Sequence, residues 1–212
     1  TLPAQLTQKN DKGGTLPVLD ADTKYLSFYM GDFDSGAWTA GALPALWDDP
    51  KRGDLPLAWP LAPGLSDRVP QVFDYLYRTQ STQDYFVGGD NGVGYLNPQK
   101  LLEAERPDGL PDALASWATL NAEMYERFDL DLTGFAISGN SGELSLPVQE
   151  AYASFSPYGV GTNSGFTEAS VDGVPFMTLE GQPINSSTDA AAIGQNLASI
   201  VSAVVMDGAN GN

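Results

Sequence analysis

The chain contains no cysteine and no histidine. Without cysteine it can form no disulfide framework and offers no thiolate nucleophile. Without histidine it excludes Ser-His-Asp catalysis, a His-ligated zinc and the His/Asp metal site of polysaccharide deacetylases. Acid–base chemistry must then come from carboxylates, assisted by tyrosine or lysine. Basic residues are also scarce: 10 Lys and Arg against 27 Asp and Glu leave a formal charge of −17. Binding phosphates needs clustered Lys and Arg, so nucleic acid is not an expected partner, and an anionic membrane surface is disfavoured too. Neutral sugars, cations and basic partners stay open, and charge of this size by itself serves solubility. No apolar run reaches the roughly 18 residues of a membrane span, so no membrane insertion is expected.

What the chain does have is material for a core. Hydrophobic residues make up 42% of its 212 positions, which suits one large domain or two small ones. Residues 1–23 read as a polar N-terminal arm without signal-peptide features, residues 24–206 as a single α/β domain, and residues 207–212 as a frayed tail. Because the first residue is Thr1, the expectation is a chain from which a leader was removed, or a fragment of a longer one. Strand character falls at 25–30, 55–61, 85–87, 132–138 and 174–179. Helical patterning falls at 37–46, with Asp34 or Ser35 as N-cap, at 69–79, at 97–104 with Pro98 in the first position, at 111–128 and at 190–205. In the longest helix Leu114, Trp117, Leu120, Met124 and Phe128 form one stripe, the pattern of core packing. Alternating strands and helices predict a parallel sheet with crossover helices. The element count favours an incomplete or distorted (β/α) barrel of about six or seven mostly parallel strands. An open doubly wound sheet is the alternative.

The densest stretch is Asp84-Tyr85-Phe86-Val87-Gly88-Gly89-Asp90-Asn91-Gly92-Val93-Gly94-Tyr95-Leu96-Asn97-Pro98. An apolar run ends abruptly in glycines that carry Asp90, Asn91 and Tyr95, as a strand does when it enters a functional loop. Glycines let the backbone turn tightly and let a ligand approach it. A dinucleotide fingerprint is excluded, because the third glycine would fall at Asn97. Asp32 and Asp34 sit two apart at the end of the first strand, where alternating side chains can face the same way. Two close carboxylates either raise one pKa or share a cation. Their structural alternative is helix capping by Asp34, and that of Asp90-Asn91 is ordinary turn chemistry. Asp48, Asp49, Arg52 and Asp54 read as a structural ion-pair or loop-capping cluster. Asn140, Glu143 and Glu180 each follow a strand end. Trp38, Trp47, Trp59 and Tyr95 are candidate platforms for sugar rings, although most tryptophans belong to cores.

Gly92-Val93-Gly94-Tyr95-Leu96-Asn97-Pro98 resembles the signature of the GxGYxYP glycoside hydrolase family of bacterial polysaccharide-processing proteins, in its C-terminal domain. Tyr25-Leu26-Ser27-Phe28-Tyr29-Met30-Gly31-Asp32-Phe33-Asp34-Ser35 resembles the family's strand ending in a Ser-Asp-Gly-Asp-Asn type motif. Trp47-Asp48-Asp49-Pro50 with Arg52-Gly53-Asp54-Leu55-Pro56 is similar to its Trp-Asp-Asp-Pro and Arg-Gly-Asp-Ile-Pro segment, and Asp74-Tyr75-Leu76-Tyr77-Arg78-Thr79 to the helix before the signature. Phe33 for Gly, Ser35 for Asn and Asn97 for Tyr mark a divergent member. The resemblance, clear over 24–98, implies a carbohydrate substrate, an N-terminal companion region in the full-length protein, and a secreted or cell-envelope bacterial location.

Three functions compete at this point. A glycosidase needs two carboxylates across the scissile bond, about 5–5.5 Å apart for retention or about 6.5–9.5 Å for inversion. Asp34 is then the expected acid and Asp32 or Asp90 the base or nucleophile. Asn91 and Tyr95 would orient sugar hydroxyls, with Trp38, Glu180 and Asn140 completing the substrate site. No cofactor is expected, although Asp32/Asp34 could take calcium or magnesium, hard cations that prefer oxygen ligands. A non-catalytic carbohydrate- or cation-binding domain would use the same cleft. A glycosyltransferase using Asp-x-Asp fits less well, since Asp32 comes too early for a nucleotide-binding half to precede it.

Overall fold

The computed structural model describes residues 2–10, 23, 27–31, 36–89, 91–102, 110, 113–137, 142–162, 165–178, 191–192 and 194–195. The chain divides into two compact units, Thr1–Gly14 with Ser27–Leu179, and Thr15–Leu26 with Glu180–Asn212. Of the second, the helical pairs at 191–192 and 194–195 and the single Thr23 are described. Most of the helix expected at 190–205 therefore lies outside the described residues. All that follows concerns the first unit.

Its centre is a six-stranded sheet in the order β1-β2-β3-β4-β6-β5. The strands are β1 (Leu57–Leu61), β2 (Asp84–Gly88), β3 (Leu132–Ala136), β4 (Gly159–Thr162), β5 (Ser170–Val171) and β6 (Val174–Thr178). β1, β2, β3, β4 and β6 run parallel, and β5 pairs antiparallel with β6. Before them, Tyr29 bridges Ala58 in parallel. Met30 N–H donates to Ala58 O at 3.0 Å and Ala58 N–H to Phe28 O at 2.9 Å, so the edge beyond β1 carries a further parallel segment. The parallel strands follow one another in chain order without a reversal. Among the described residues the sheet is not closed, an arrangement that an incomplete barrel and an open sheet share.

The helices are α1 (Leu43–Trp47), α2 (Pro70–Thr79), α3 (Ala113–Phe128) and α4 (Leu146–Ala153). A π-helical turn, Trp38–Ala42, leads into α1, and 3-10 turns span Pro63–Asp67 and Pro98–Leu102. α2 starts at a proline, whose fixed φ and missing N–H suit a first helical position, and buries Val72, Phe73, Leu76 and Tyr77. α3 buries Leu114, Trp117, Asn121, Tyr125 and Phe128, while Leu120 is 43% exposed. The inward stripe thus runs through Asn121 and Tyr125 instead of Leu120, with Met124 half-buried against the core. The helix ends where Asp129 turns left-handed at φ 53 and Leu130 N–H reaches back to Tyr125 O at 2.9 Å, a common helix stop. Among the described residues no helix is long and apolar enough to cross a membrane.

Trp47 and Trp59 are core residues, 1% and 2% exposed. Their rings meet edge-on at 5.0 Å, and Trp47 stacks on Phe86 at 5.6 Å. At the start of β2, buried Asp84 accepts from Arg52, from Trp59 Nε1–H at 2.9 Å and from Ser81 N–H at 2.7 Å. The Arg52 guanidinium lies 4.1 Å from the centre of the Trp47 ring, and Tyr75 donates to Asp48. Arg52, Asp48 and Asp49, whose Oδ1 accepts Lys51 N–H at 2.8 Å, are therefore structural, and the Arg52–Asp84 pair sits at the amino end of the strands. The segment 2–10 packs on the same unit. Gln8 Nε2–H donates to Phe86 O at 2.9 Å and Phe86 N–H to Gln8 Oε1 at 2.7 Å. That side chain supplies the ladder bonds β2 lacks there, since β2 meets β3 only at Gly88 and Thr133.

Candidate functional site

Building upward from β2, the strand runs out through Gly88 and Gly89. Gly89 N–H still pairs with Leu61 O at 2.8 Å, and Gly92 N–H returns to Gly89 O at 2.8 Å, closing a tight turn. Asn91 sits in this turn at φ 68 and Gly92 at φ 94. Asparagine tolerates the left-handed region better than most residues. Asn91 is 1% exposed, and both ends of its amide bond to the protein. Oδ1 accepts from Ile137 N–H at 2.5 Å and from Tyr152 O–H at 2.8 Å, and Nδ2–H donates to Leu96 O. Asn91 N–H also reaches Phe135 O at 3.2 Å. The residue ties the signature loop to the end of β3 and to α4. Burial, together with the nearby Tyr125, holds the Tyr152 phenol well above its ordinary pKa, so it stays a hydrogen-bond donor.

A second anchor comes from α3. Asn121, fully buried, accepts Val93 N–H on Oδ1 at 2.7 Å and donates from Nδ2 to Trp117 O at 2.9 Å. A Cβ at Gly92 would lie 2.0 Å from Asn121 Oδ1, and one at Gly88 would lie 1.7 Å from the Tyr125 hydroxyl. Only glycine fits either place. Val93 O accepts from Gly64 N–H at 2.8 Å, which staples this loop to the one after β1. Leu144 pairs with Gly165 and Thr167, which joins the loops after β3 and β4. Ser145 N–H donates to Gln99 Oε1 at 3.1 Å, joining the segment after β3 to the 3-10 turn that follows the signature.

From this woven base Tyr95 projects at 66% exposure, free to present its ring to a ligand. Trp38 is half-buried against the core. Glu143 is exposed in the loop after β3. Asp32, Asp34, Asp90, Asn140 and Glu180 lie outside the described residues. Their described chain neighbours, Gly31, Gly89, Asn91, Ile137, Gly142 and Thr178, follow or end strands of the sheet at the carboxyl edge. Among the described residues no group of three or more His, Cys, Asp or Glu side chains could hold a metal ion. A groove of about 440 Å³ runs beside the loop, lined by Leu96, Leu101, Trp117 and Leu120 among others. Sequence reasoning missed Asn121 and Tyr152, which come from helices 28 and 61 positions along the chain from their partners. The polar residue at an inward helical position was the one available signal for Asn121.

A sequentially wound, mostly parallel α/β sheet with its loops gathered at the carboxyl ends of the strands is an architecture that hosts enzymes of many kinds. The chain matches the GxGYxYP putative glycoside hydrolase C-terminal domain over residues 22–206 and belongs to that family. It also resembles, at a TM-score of 0.60 and 20% identity, the crystal structure of a putative hydrolase from Bacteroides thetaiotaomicron VPI-5482. The similarity covers 81% of this chain and 32% of that one, so the chain spans about a third of that protein. No curated protein matches.

Proposed function

We propose that this domain hydrolyses glycosidic bonds in a polysaccharide or oligosaccharide, through paired carboxylates drawn from Asp32, Asp34 and Asp90. One observation carries the reading. Tyr29 is paired with Ala58, and Ala58 with Tyr85. The strands that lead into positions 32–34 and 90 are thus parallel, in register and two steps apart. Two steps of sheet spacing are about 10 Å, the scale on which glycosidase carboxylates face each other. Asp34 acts as the acid, and Asp32 or Asp90 as base or nucleophile. Tyr95 is the sugar platform, and Asn91 serves by holding the loop. Trp38, Asn140 and Glu180 remain candidates for the substrate site. The family, the absence of histidine and the acidic charge all accord with carboxylate chemistry on a neutral sugar.

Polysaccharide degradation outside the cytoplasm or at a bacterial cell envelope, beside an N-terminal companion region, is the setting we propose. No cofactor is assigned to the reaction. Calcium or magnesium at Asp32/Asp34 is tested by adding and chelating the ions. The deciding experiment measures hydrolysis of aryl glycosides and polysaccharides by wild type, Asp32→Asn and Asp34→Asn. Loss of a general acid lowers turnover by about 10² or more. Full activity in both variants refutes the assignment. Oligosaccharide binding without hydrolysis by wild type replaces it with the binding-module reading.

A further inference from the structure

We propose that Tyr152 is a positioning residue for this site: it locks Asn91, and through Asn91 the loop 91–97, onto the end of β3. The inference rests on the sugar-site reading above. Three features carry it. Asn91 occupies a left-handed conformation at φ 68, which costs a non-glycine residue energy unless its surroundings hold it there. Its Oδ1 takes two donors from different elements, Ile137 N–H beyond β3 and Tyr152 O–H from α4. Tyr152 is itself fully buried, with its ring set edge-on to Trp117 of α3 at 5.1 Å. The hydroxyl therefore stands on two packed helices and cannot follow the loop if it moves. Asn91 Nδ2–H in turn fixes the carbonyl of Leu96, the residue after exposed Tyr95. The chain of hydrogen bonds runs from Tyr152 through Asn91 to Leu96, the residue next to the Tyr95 platform.

Tyr152→Phe removes one hydroxyl and leaves the ring packing in place. Tyr77→Phe is the control, since Tyr77 is equally a buried phenol but donates to Phe128 O, well away from the loop. The readout is native-state hydrogen exchange at the amides of Asn91, Gly92, Val93 and Ile137, each bonded within this network. In Tyr152→Phe they should exchange about five- to tenfold faster, the equilibrium equivalent of one buried hydrogen bond. The amides of the β1–β2 ladder should not change. Asn91→Gly keeps the backbone conformation and deletes the amide, and should give the same pattern if Tyr152→Phe folds poorly. Binding of a panel of neutral cello-, xylo- and malto-hexaoses should weaken several-fold in Tyr152→Phe and hold in Tyr77→Phe. Unchanged exchange, or a uniform rise matching Tyr77→Phe, overturns the lock. Selective exchange with unchanged hexaose affinity overturns the positioning role. A wild type that binds none of the hexaoses overturns the sugar reading instead, and the exchange pattern alone then decides the lock.

Discussion

Replacing Asn121 by alanine tests the scaffold of the signature loop most directly. The substitution removes the acceptor of Val93 N–H, held at 2.7 Å, and empties a fully buried site on α3. An orphaned donor costs about 1–3 kcal/mol. Val93 is only partly buried, so water can reach it and the lower half of that range applies. Lost packing adds about 1 kcal/mol, and alanine returns about 0.5 kcal/mol of helix propensity. The net loss is about 2 kcal/mol, which for a domain of this size lowers Tm by about 4–8 °C. Calorimetry on wild type and Asn121→Ala measures it. Gly92→Ala sharpens the test, because a Cβ there overlaps Asn121 Oδ1 at 2.0 Å as well as suffering φ 94. In the Asn121→Ala background the overlap is gone and only the backbone strain remains. The double mutant should therefore be less destabilised than the sum of the singles by about 1 kcal/mol or more. A Tm change under about 1 °C for Asn121→Ala, or strict additivity, refutes the reasoning.

Asp84→Ala strands the Arg52 charge, the Trp59 Nε1–H and the Ser81 N–H at the opposite end of the sheet; urea unfolding should register a loss of about 3–5 kcal/mol, as for other broken buried pairs. Burial raises the pKa of Tyr77, Tyr125 and Tyr152 above the ordinary value. The folded state then keeps protons that the unfolded state releases, so stability is intact below about pH 10 and falls above it. The slope is about 1.4 kcal/mol per pH unit for each phenol, which predicts cooperative alkaline unfolding within about two units. Ionisation of these tyrosines in protein with an intact near-ultraviolet circular dichroism spectrum would contradict it. Metal analysis of protein purified without chelator should find no stoichiometric zinc, because the chain has neither histidine nor cysteine to ligate it.

Where apolar runs were bounded by proline or glycine, the fold was legible. β1, β2, β3 and β6, α2 and α3 all fall within a few residues of their sequence expectations. The stretch between β3 and β6 was not. α4 is eight residues long and one of its three buried positions is Gln149, so no apolar stripe announces it. β4, Gly159–Thr162, contains two glycines and owes its place to neighbours on both sides. Asp172-Gly173, both at positive φ, was a readable hairpin turn, but its first strand has two residues, too few for periodicity. The candidate carboxylates Asp32, Asp34 and Asp90 rest on local motif spacing alone and lie outside the described residues. The supports of the signature loop were not legible, since Asn121 and Tyr152 meet it only through tertiary packing.

The glycines of the signature show how a correct motif can carry a different physical reason. As sequence, they suggest room for a ligand against the backbone. In the folded chain the space beside Gly88 is taken by the Tyr125 hydroxyl, beside Gly89 by Pro60, and beside Gly92 by Asn121. Those glycines admit protein, and what they purchase is a loop clamped against α3 and the end of β1. Gly94 alone of this group has nothing within 4 Å, and it adjoins exposed Tyr95. Asn97, standing where the family has tyrosine, caps the following turn by accepting Gln99 N–H on Oδ1 at 3.0 Å. The divergent position is thus used to begin the 3-10 turn at Pro98. Under the proposed function, ligand contact at the tip of the loop falls to Gly94 and Tyr95. A substitution at Gly94 should accordingly change sugar affinity with little change in Tm, whereas one at Gly88 should unfold the protein before affinity can be measured.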